Sequence, residues 1–288
     1  MFVTSFYSII FILALPLNCL VLWAMAPQLK TEQCLPVYAM NLLASNLLLL
    51  AALPFSLAYV LQNYHWTLGA AACTLVHAVF FLHLFVSVLF LTWIAVMRYV
   101  AVGHPLRFSA LQTTRCSYLS SAALWLVAIA LSSTGAFMLP SHGQTNSNRS
   151  SCFETYPVPR DYALFHLVVS ILFYFLPCLI LGIMYLLIQR TLRGSSSVQA
   201  VERKRITTLL AFIVMYFAVL FGPCHVIWSY RCIVVLLGGD TCSVEKTLSL
   251  PGQVTLAVSN LSALLVPVFY MASFKSIWQR IRCHTAGT

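Results

Sequence analysis

Seven long apolar stretches divide this chain, and they constrain its fold more than any other feature. They lie at 2–26, 36–61, 73–101, 117–139, 162–189, 206–235 and 248–272. A helix needs about 20 apolar residues to cross the hydrocarbon core of a bilayer, and in lipid only helices and closed barrels satisfy all of their backbone groups. The strict two-residue alternation of a barrel is absent from these stretches. We therefore predict an all-α membrane protein, a seven-transmembrane helix bundle that forms a single domain over residues 1–288.

The composition excludes a soluble domain. Of the 288 residues, 61% are hydrophobic and only 8% are charged, which is far from the balance of soluble proteins. The formal net charge of +10 would suggest a nucleic-acid partner in a soluble protein. Here we interpret it as contact with anionic lipids of the inner leaflet and with cytoplasmic partners. We expect membrane lipids as partners and no nucleic acid.

The positions of Lys and Arg predict the orientation in the membrane. If the amino terminus is extracellular, four of the 16 Lys and Arg residues lie outside, namely Arg149, Arg160, Arg231 and Lys246, and the others lie inside. The positive-inside rule favours this topology. No basic residue precedes the first stretch and no small-residue cleavage site follows it, so we expect a retained span rather than a signal peptide.

Cysteines and a sequon agree with this topology. Cys73 opens the third stretch at the outer surface and Cys152 lies in the long loop after the fourth, so both face an oxidising compartment and we predict that they are paired. Cys232 and Cys242, near the outer end of the sixth stretch, are a second candidate pair that sequence alone cannot decide. Asn148 begins an Asn-Arg-Ser sequon in the same outer loop, and we expect it to be glycosylated.

Short motifs recur along the stretches in a fixed order. They are Leu15-Pro16-Leu17-Asn18, Leu43-Ala44-Ser45-Asn46, Leu53-Pro54-Phe55, Trp66-Thr67-Leu68-Gly69 before Cys73, Met97-Arg98-Tyr99, His104-Pro105-Leu106-Arg107-Phe108, Phe221-Gly222-Pro223 and Pro267-Val268-Phe269-Tyr270. With this order and spacing the chain resembles rhodopsin-like (class A) G-protein-coupled receptors from about Phe6 to Arg282. Its motifs are most similar to the branch that holds purinergic, platelet-activating-factor, free-fatty-acid and proton-sensing receptors.

The resemblance implies a receptor rather than an enzyme. It implies a multi-pass plasma-membrane protein that passes an extracellular signal to heterotrimeric G proteins by a rearrangement of helices five and six, without a cofactor or a metal. The residues that it assigns to G-protein coupling and to the switch are Arg98, Tyr99, Pro105, Leu106, Tyr185, Phe217, Pro267 and Tyr270. Residues 273–283 alternate apolar and basic side chains, which predicts a short amphipathic helix 8 along the membrane surface.

Three positions depart from the pattern of the family. Met97 replaces the usual acid before the arginine, Asn46 replaces the aspartate of helix two, and Val266 replaces the Asn or Asp before the proline of helix seven. Without these acids, a sodium ion has no formal negative charge to bind. Our hypothesis is low sodium sensitivity together with either raised basal activity or weak coupling. The alternative is an atypical, non-signalling decoy receptor.

The candidate ligand site is inferred from residues that face the outer half of the bundle. It is mostly aromatic, with imidazoles, and consists of Tyr59, His77, Phe81, His166, Phe221, His225, Trp228, Arg231 and Gln253. Asp161 is the only acid that we assign to a helix, so an amine agonist lacks a counter-ion. Trp228 replaces an arginine typical of the purinergic branch, which disfavours a nucleotide. We expect a lipid-like amphiphile or a small acidic molecule, whose head meets Arg231, Lys246 or Arg160.

Proton sensing is the other hypothesis that the sequence leaves open. His65, His77, His142, His166 and His225 lie outside or in the outer half of the bundle, and imidazole is the side chain that titrates near physiological pH.

Overall fold

The computed structural model describes residues 2–30, 34–138, 143–144, 150–152, 158–194 and 200–273. Within these ranges, seven helical segments are long and apolar enough to cross a membrane. We refer to them as the first to the seventh span, and they are Thr4–Leu29, Cys34–Leu61, Gly69–Gly103, Thr114–Met138, Arg160–Arg193, Ile206–Leu237 and Thr241–Met271. The prediction of an all-α bundle with seven spans is confirmed.

The helices are longer than the apolar stretches at most ends, because helical hydrogen bonding continues past the last lipid-facing residue. Their bounds are Phe2–Met25, the 3₁₀ turn Ala26–Lys30, Cys34–Leu61, Gly69–Gly103, Pro105–Leu111, Thr114–Met138, Arg160–Ser170, the π-helical turn Ile171–Phe175, Leu176–Gly194, Ala200–Leu237, Thr241–Ser259 and Ser262–Ser273. A short antiparallel ladder pairs Gly143 with Ser151 and Gln144 with Ser150.

The seventh span begins about two helical turns before the stretch at 248–272 that hydropathy predicted. The Asp240 carboxylate accepts hydrogen bonds from the backbone N–H groups of Cys242 and Ser243, each at 3.1 Å. An aspartate at this position satisfies donors that the first helical turn leaves without intrahelical partners. The cap therefore starts the helix at Thr241, in a polar segment that a hydropathy window does not detect.

The fifth span contains a π-helical turn. Pro177 has no backbone N–H and its ring crowds the preceding turn, so a regular hydrogen-bond ladder cannot continue through it. Just before it, the N–H of Leu176 bonds to the carbonyl of Ile171, five residues back. Such single-turn insertions rotate the residues that they contain relative to the rest of the helix. Tyr174 lies in this turn and is buried.

Buried polar side chains tie the spans together where the bundle is narrow. The amide of Asn18 donates to the carbonyl of Ala263 at 2.8 Å and accepts from Asn46 at 3.1 Å, which connects the first, second and seventh spans. Trp125 donates its indole N–H to Asn41 at 2.7 Å, between the second and fourth spans. In an apolar medium such bonds replace the hydrophobic effect as a source of specific helix packing.

A disulfide lies at one end of the bundle, and we call this end the disulfide end. Cys73 and Cys152 are bonded, as predicted, and this bond attaches the loop after the fourth span to the start of the third. The buried ring of Trp66 packs in the same cluster and donates to the carbonyl of Gly69 at 2.7 Å. Gly69 has φ of +81°, a conformation that favours glycine.

The second candidate bridge is not formed. Cys232 is buried and Cys242 is exposed, and both are free thiols. The reason is that Cys232 points into the packing of the sixth span while Cys242 lies in the capped first turn of the seventh span. The predicted helix 8 at 273–283 and the sequon at Asn148 lie outside the described residues, apart from Ser273, which ends the last helix.

Candidate functional site

A cavity of about 180 Å³ opens among the spans toward the disulfide end. All nine residues that the sequence assigned to a ligand site line this one cavity, namely Tyr59, His77, Phe81, His166, Phe221, His225, Trp228, Arg231 and Gln253. They come from the second, third, fifth, sixth and seventh spans. The tertiary structure therefore brings the nine together, although they are up to 194 positions apart in the sequence.

Aromatic rings and imidazoles form one wall of the cavity. His166 stacks on Trp228 with ring centroids 5.1 Å apart, and His77 lies against Phe81 at 4.6 Å. Phe81 also meets His166 edge-on at 6.1 Å. These rings join the third, fifth and sixth spans, so a ligand that contacts the wall contacts three helices whose relative positions can change.

Arg231 is held by an acid that the sequence analysis left out of the helices. Its guanidinium forms an ion pair with Glu245 at 3.0 Å and donates to the carbonyl of Leu248 at 2.6 Å. It also lies 5.3 Å from the ring centroid of Trp228, within range of a cation–π interaction. The expectation that Asp161 is the only helical acid is therefore wrong. Glu245 lies in the turns that the Asp240 cap adds to the seventh span.

A glycine makes room for this ion pair. A Cβ atom at Gly252 would lie 3.1 Å from one guanidinium nitrogen of Arg231 and 3.3 Å from its central carbon. Both distances are shorter than ordinary van der Waals contact, so a larger residue would push the guanidinium away. Glu245, Ser249, Gly252 and Leu256 follow one another at helical spacing and all line the cavity.

Arg160 and Lys246, the other two basic residues that were expected to meet the ligand head, have different surroundings. Arg160 donates to the carbonyl of Leu236 at 2.8 Å and ties the fifth span to the sixth. Lys246 is exposed and does not line the cavity. A further polar contact crosses the rim where Tyr64 donates to the side-chain oxygen of Gln253 at 3.1 Å.

Below the cavity, a stack of three rings joins the fifth and sixth spans. Tyr174 lies between His225 at 4.5 Å and Phe217 at 5.3 Å, and both pairs are nearly parallel. Phe217 is completely buried and also contacts Phe221, with centroids 5.7 Å apart. The stack runs from a cavity residue to the residue that the resemblance assigned to the packing switch.

Gly222 permits this stack. A Cβ atom there would lie 2.7 Å from the hydroxyl oxygen of Tyr174, closer than real Cβ atoms come to a neighbour. Gly222 belongs to the Phe221-Gly222-Pro223 motif, whereas Tyr174 belongs to none of the sequence motifs. Its ring lies in the π-helical turn before Pro177 and stacks on two residues of the sixth span.

A buried histidine in the third span was also missed. His83 is 3% exposed; its Nδ1 lies 3.2 Å from the carbonyl oxygen of Ser45 and its Nε2 lies 3.3 Å from the hydroxyl of Ser262. Because a carbonyl can only accept, Nδ1 donates, and in the neutral ring Nε2 accepts from Ser262. His83 thus connects the third span to the second and seventh beside Asn46.

The opposite end of the bundle carries the arginine motif, and we call it the arginine end. Met97 is 2% exposed and packs in the main apolar cluster, whereas Arg98 next to it is only half-buried. Tyr99 meets His104 edge-on at 5.7 Å. Pro105 begins the short helix Pro105–Leu111, and Leu106 is 89% exposed there.

The sixth and seventh spans meet through rings near the arginine end. Phe212 stacks on Phe269 with centroids 4.1 Å apart. Tyr270 and Val266 line a small apolar cavity of about 20 Å³ beside them. Pro267 is buried in the same helix, and Tyr185 of the fifth span is partly buried. Tyr270, one of the residues that the resemblance assigned to the switch, thus lies where the third, sixth and seventh spans border this small cavity.

Among the residues that the structure describes, no group of three or more His, Cys, Asp or Glu side chains is arranged to hold a metal ion.

Comparison with known proteins agrees with this architecture. Residues 17–270 match the model of the 7 transmembrane receptor (rhodopsin family). The chain is 31% identical over 271 residues to the uracil nucleotide/cysteinyl leukotriene receptor of Homo sapiens, an alignment that covers 94% of this chain and 72% of that receptor. It is 30% identical over 283 residues to a purinoceptor of Homo sapiens, with 96% of this chain and 76% of that receptor covered.

G-protein coupled receptor 68 of Bos taurus is 30% identical over 265 residues, with 92% of this chain and 72% of that receptor covered. These relatives are plasma-membrane receptors and not enzymes, and they match the branch that the motifs indicated. The chain belongs to the rhodopsin family of seven-transmembrane receptors, and it is a G-protein-coupled receptor of the plasma membrane.

Proposed function

We propose that this receptor is activated by a lipid-like amphiphile or a small acidic molecule that enters the cavity at the disulfide end. The observation that carries the proposal is the common cavity of the nine inferred residues, whose lining is dominated by apolar and aromatic groups with few polar ones. This is the composition of sites that bury most of a small ligand and orient it through a few polar contacts. In this proposal the disulfide end and the amino terminus are extracellular, and residues 1–288 act as one domain.

The ring stack supplies a route from ligand to G protein. A ligand against Trp228 and His225 contacts rings of the sixth span, and His225 stacks through Tyr174 on Phe217. Pro177 and Pro223 remove backbone hydrogen bonds near this stack, so two packings of the fifth and sixth spans can have similar free energies. A ligand that prefers one packing shifts the population by its differential affinity.

The coupling surface is the arginine end. Arg98 and the exposed Leu106 lie there, and we propose that they contact the heterotrimeric G protein when the fifth and sixth spans separate. Arg98 supplies the charged donor group and Leu106 an apolar side chain that is 89% exposed in the receptor alone. Helix 8 at 273–283 and a glycan at Asn148 remain predictions.

The test is a signalling screen with a cavity variant and a lipid-facing control. Cells expressing the receptor are read out for each G-protein class in the presence of lysophospholipids, fatty acids or acid. Phe81→Ala removes a ring from the cavity wall, whereas Phe137→Ala removes a ring that is 85% exposed on the fourth span. We expect the first variant to lose the amphiphile response and the second to keep it. Equal responses of both variants would contradict the proposed site.

Proton sensing is a second candidate, and one observation favours it. His77, His166 and His225, three of the five histidines proposed from the sequence, line the same cavity. The test is a titration of signalling between about pH 8 and pH 6 without added ligand, with the three imidazoles replaced by Phe in turn. A response that is flat over this range removes the proton hypothesis. A receptor that reaches the surface and signals under none of these conditions would favour the decoy alternative.

A further inference from the structure

The charges at the cavity rim limit which ligand head group can bind there. Arg231 and Glu245 are the formally charged residues among the described residues that line the cavity. They are 3.0 Å apart, and their side chains are 11% and 20% exposed. The lining therefore has no net formal charge, but it presents a positive and a negative group side by side.

The ion pair is oriented by its surroundings. The guanidinium of Arg231 donates a hydrogen bond to the carbonyl of Leu248 and lies near the ring of Trp228. It fits there because Gly252 has no Cβ atom that would crowd it. The carboxylate of Glu245 lies on the same helical face of the seventh span as that glycine. Because several contacts position the two charges, a ligand meets them with little further ordering of side chains, and ordering is a main cost of binding.

A singly charged ligand is mismatched to this rim. An anion that approaches Arg231 also approaches the carboxylate of Glu245, and a cation that approaches Glu245 also approaches the guanidinium. At distances of a few ångströms in a partly desolvated site, this like-charge repulsion is comparable to the attraction gained. A head group with both charges can meet each group with its opposite.

We propose that the agonist carries a zwitterionic head group, whose anion faces Arg231 and whose cation faces Glu245, with its apolar part against the aromatic wall. This inference rests on the proposed function, because it assumes that an amphiphile binds in this cavity. It makes Glu245 the specificity-determining residue that disfavours purely acidic amphiphiles. The paired charges join the sixth and seventh spans, so a head group that binds to both contacts these two helices together.

Four probes, each with one oleoyl or oleyl chain, test the proposal on the purified receptor in maltoside micelles. They are lysophosphatidylcholine as the zwitterion, lysophosphatidic acid as the anion, monooleoylglycerol as the neutral head and oleylamine as the cation. We expect the wild type to bind the zwitterion at least about tenfold more tightly than the other three, a difference of about 1.4 kcal/mol.

Glu245→Gln is the decisive variant. It removes the negative charge that lies 3.0 Å from Arg231, so we expect the anionic probe to become the tightest ligand. Asp161→Asn is the matched control, because it removes the same formal charge from an exposed position outside the cavity lining. We expect it to keep the wild-type order of the four probes.

The double variant Arg231→Gln with Glu245→Gln covers the case in which the single variant fails to fold. It removes both formal charges of the described cavity lining, and we expect its affinities for the four probes to lie within about threefold of one another, a difference of less than about 1 kcal/mol.

Tightest binding of the anion to the wild type, or an unchanged probe order in Glu245→Gln, would overturn the zwitterion proposal and leave the amphiphile site standing. An unchanged order in the double variant would overturn it in the same way. Failure of every probe to bind would overturn the amphiphile proposal and the zwitterion proposal together.

Discussion

Replacement of Gly222 by alanine tests whether the ring stack beneath the cavity depends on a single missing side chain. The new Cβ would lie 2.7 Å from the hydroxyl of Tyr174, whereas ordinary contact begins at 3.4 Å, so one of the two must move by about 0.7 Å. The ring cannot turn freely, because Phe217 and His225 hold its two faces. We expect Gly222→Ala to lower the free energy of unfolding by about 1–3 kcal/mol, the usual cost of overpacking.

The same change should be harmless once the hydroxyl is gone. Without that oxygen, the nearest ring atom of residue 174 would be 3.8 Å from the new Cβ, which is ordinary contact. In a Tyr174→Phe background, alanine should then be neutral or stabilising by up to about 1 kcal/mol, because alanine has the higher helix propensity. The expected interaction free energy between the two substitutions is therefore about 1–4 kcal/mol.

The assay is unfolding by sodium dodecyl sulfate titration in mixed micelles, applied to the four members of the cycle. Gly182→Ala is the control, because nothing lies within 4 Å of a Cβ at Gly182 in the fifth span. It should not destabilise the receptor. A Gly222→Ala variant as stable as the wild type, or one that Tyr174→Phe does not rescue, would show that the contact with Tyr174 is not what requires glycine.

Three further outcomes are expected. His83→Leu should lower the free energy of unfolding by about 1–3 kcal/mol, because two buried hydrogen bonds are lost. His104→Leu, at an exposed position, should not lower it. Equal stability of both variants would contradict the bridging role of His83. Basal signalling should not change when sodium is exchanged for an organic cation, and Asn46→Asp should introduce sodium dependence. A strong sodium effect on the wild type would refute the hypothesis that the loss of the usual acids lowers sodium sensitivity. Cys73→Ser should lower the free energy of unfolding by about 2–5 kcal/mol and reduce surface expression, because the disulfide is lost. Cys242→Ser, which changes a free thiol, should do neither. Equal expression of the two variants would argue against a structural role for the disulfide.

Much of the architecture could be predicted because lipid imposes strong rules on sequence. Seven apolar stretches of sufficient length predicted the seven spans, and the ordered motifs predicted the family. The placement of Cys73 and Cys152 on the predicted outer side of the membrane predicted the disulfide. The nine cavity residues could also be assigned, because the resemblance fixed which face of each helix turns inward. Hydropathy alone could not do this, since helices that are apolar on all sides do not reveal which side faces lipid.

The contacts that were missed share a physical cause. Glu245 was left out because a capping aspartate, and not hydrophobicity, determines where the seventh span begins. The cue was visible in Asp240 followed by Thr241 and Ser243, but only the structure shows that the added turns carry Glu245 to Arg231. Tyr174 was missed because a π-helical turn rotates it toward the sixth span, and His83 because its partners are a backbone carbonyl and a hydroxyl on two other helices.

The sequence by itself determined that this chain crosses a membrane seven times, that it belongs to a receptor family, and that the usual acids are replaced at Met97, Asn46 and Val266. Only the tertiary structure decided which charges and rings meet, including the pairing of Arg231 with Glu245 and the stacking of Tyr174 between Phe217 and His225. The reason is that bilayer insertion depends on the length and composition of each segment, which are local properties of the chain. Contacts between spans depend on the rotation and shift of one helix against another, which packing and a few buried polar groups determine.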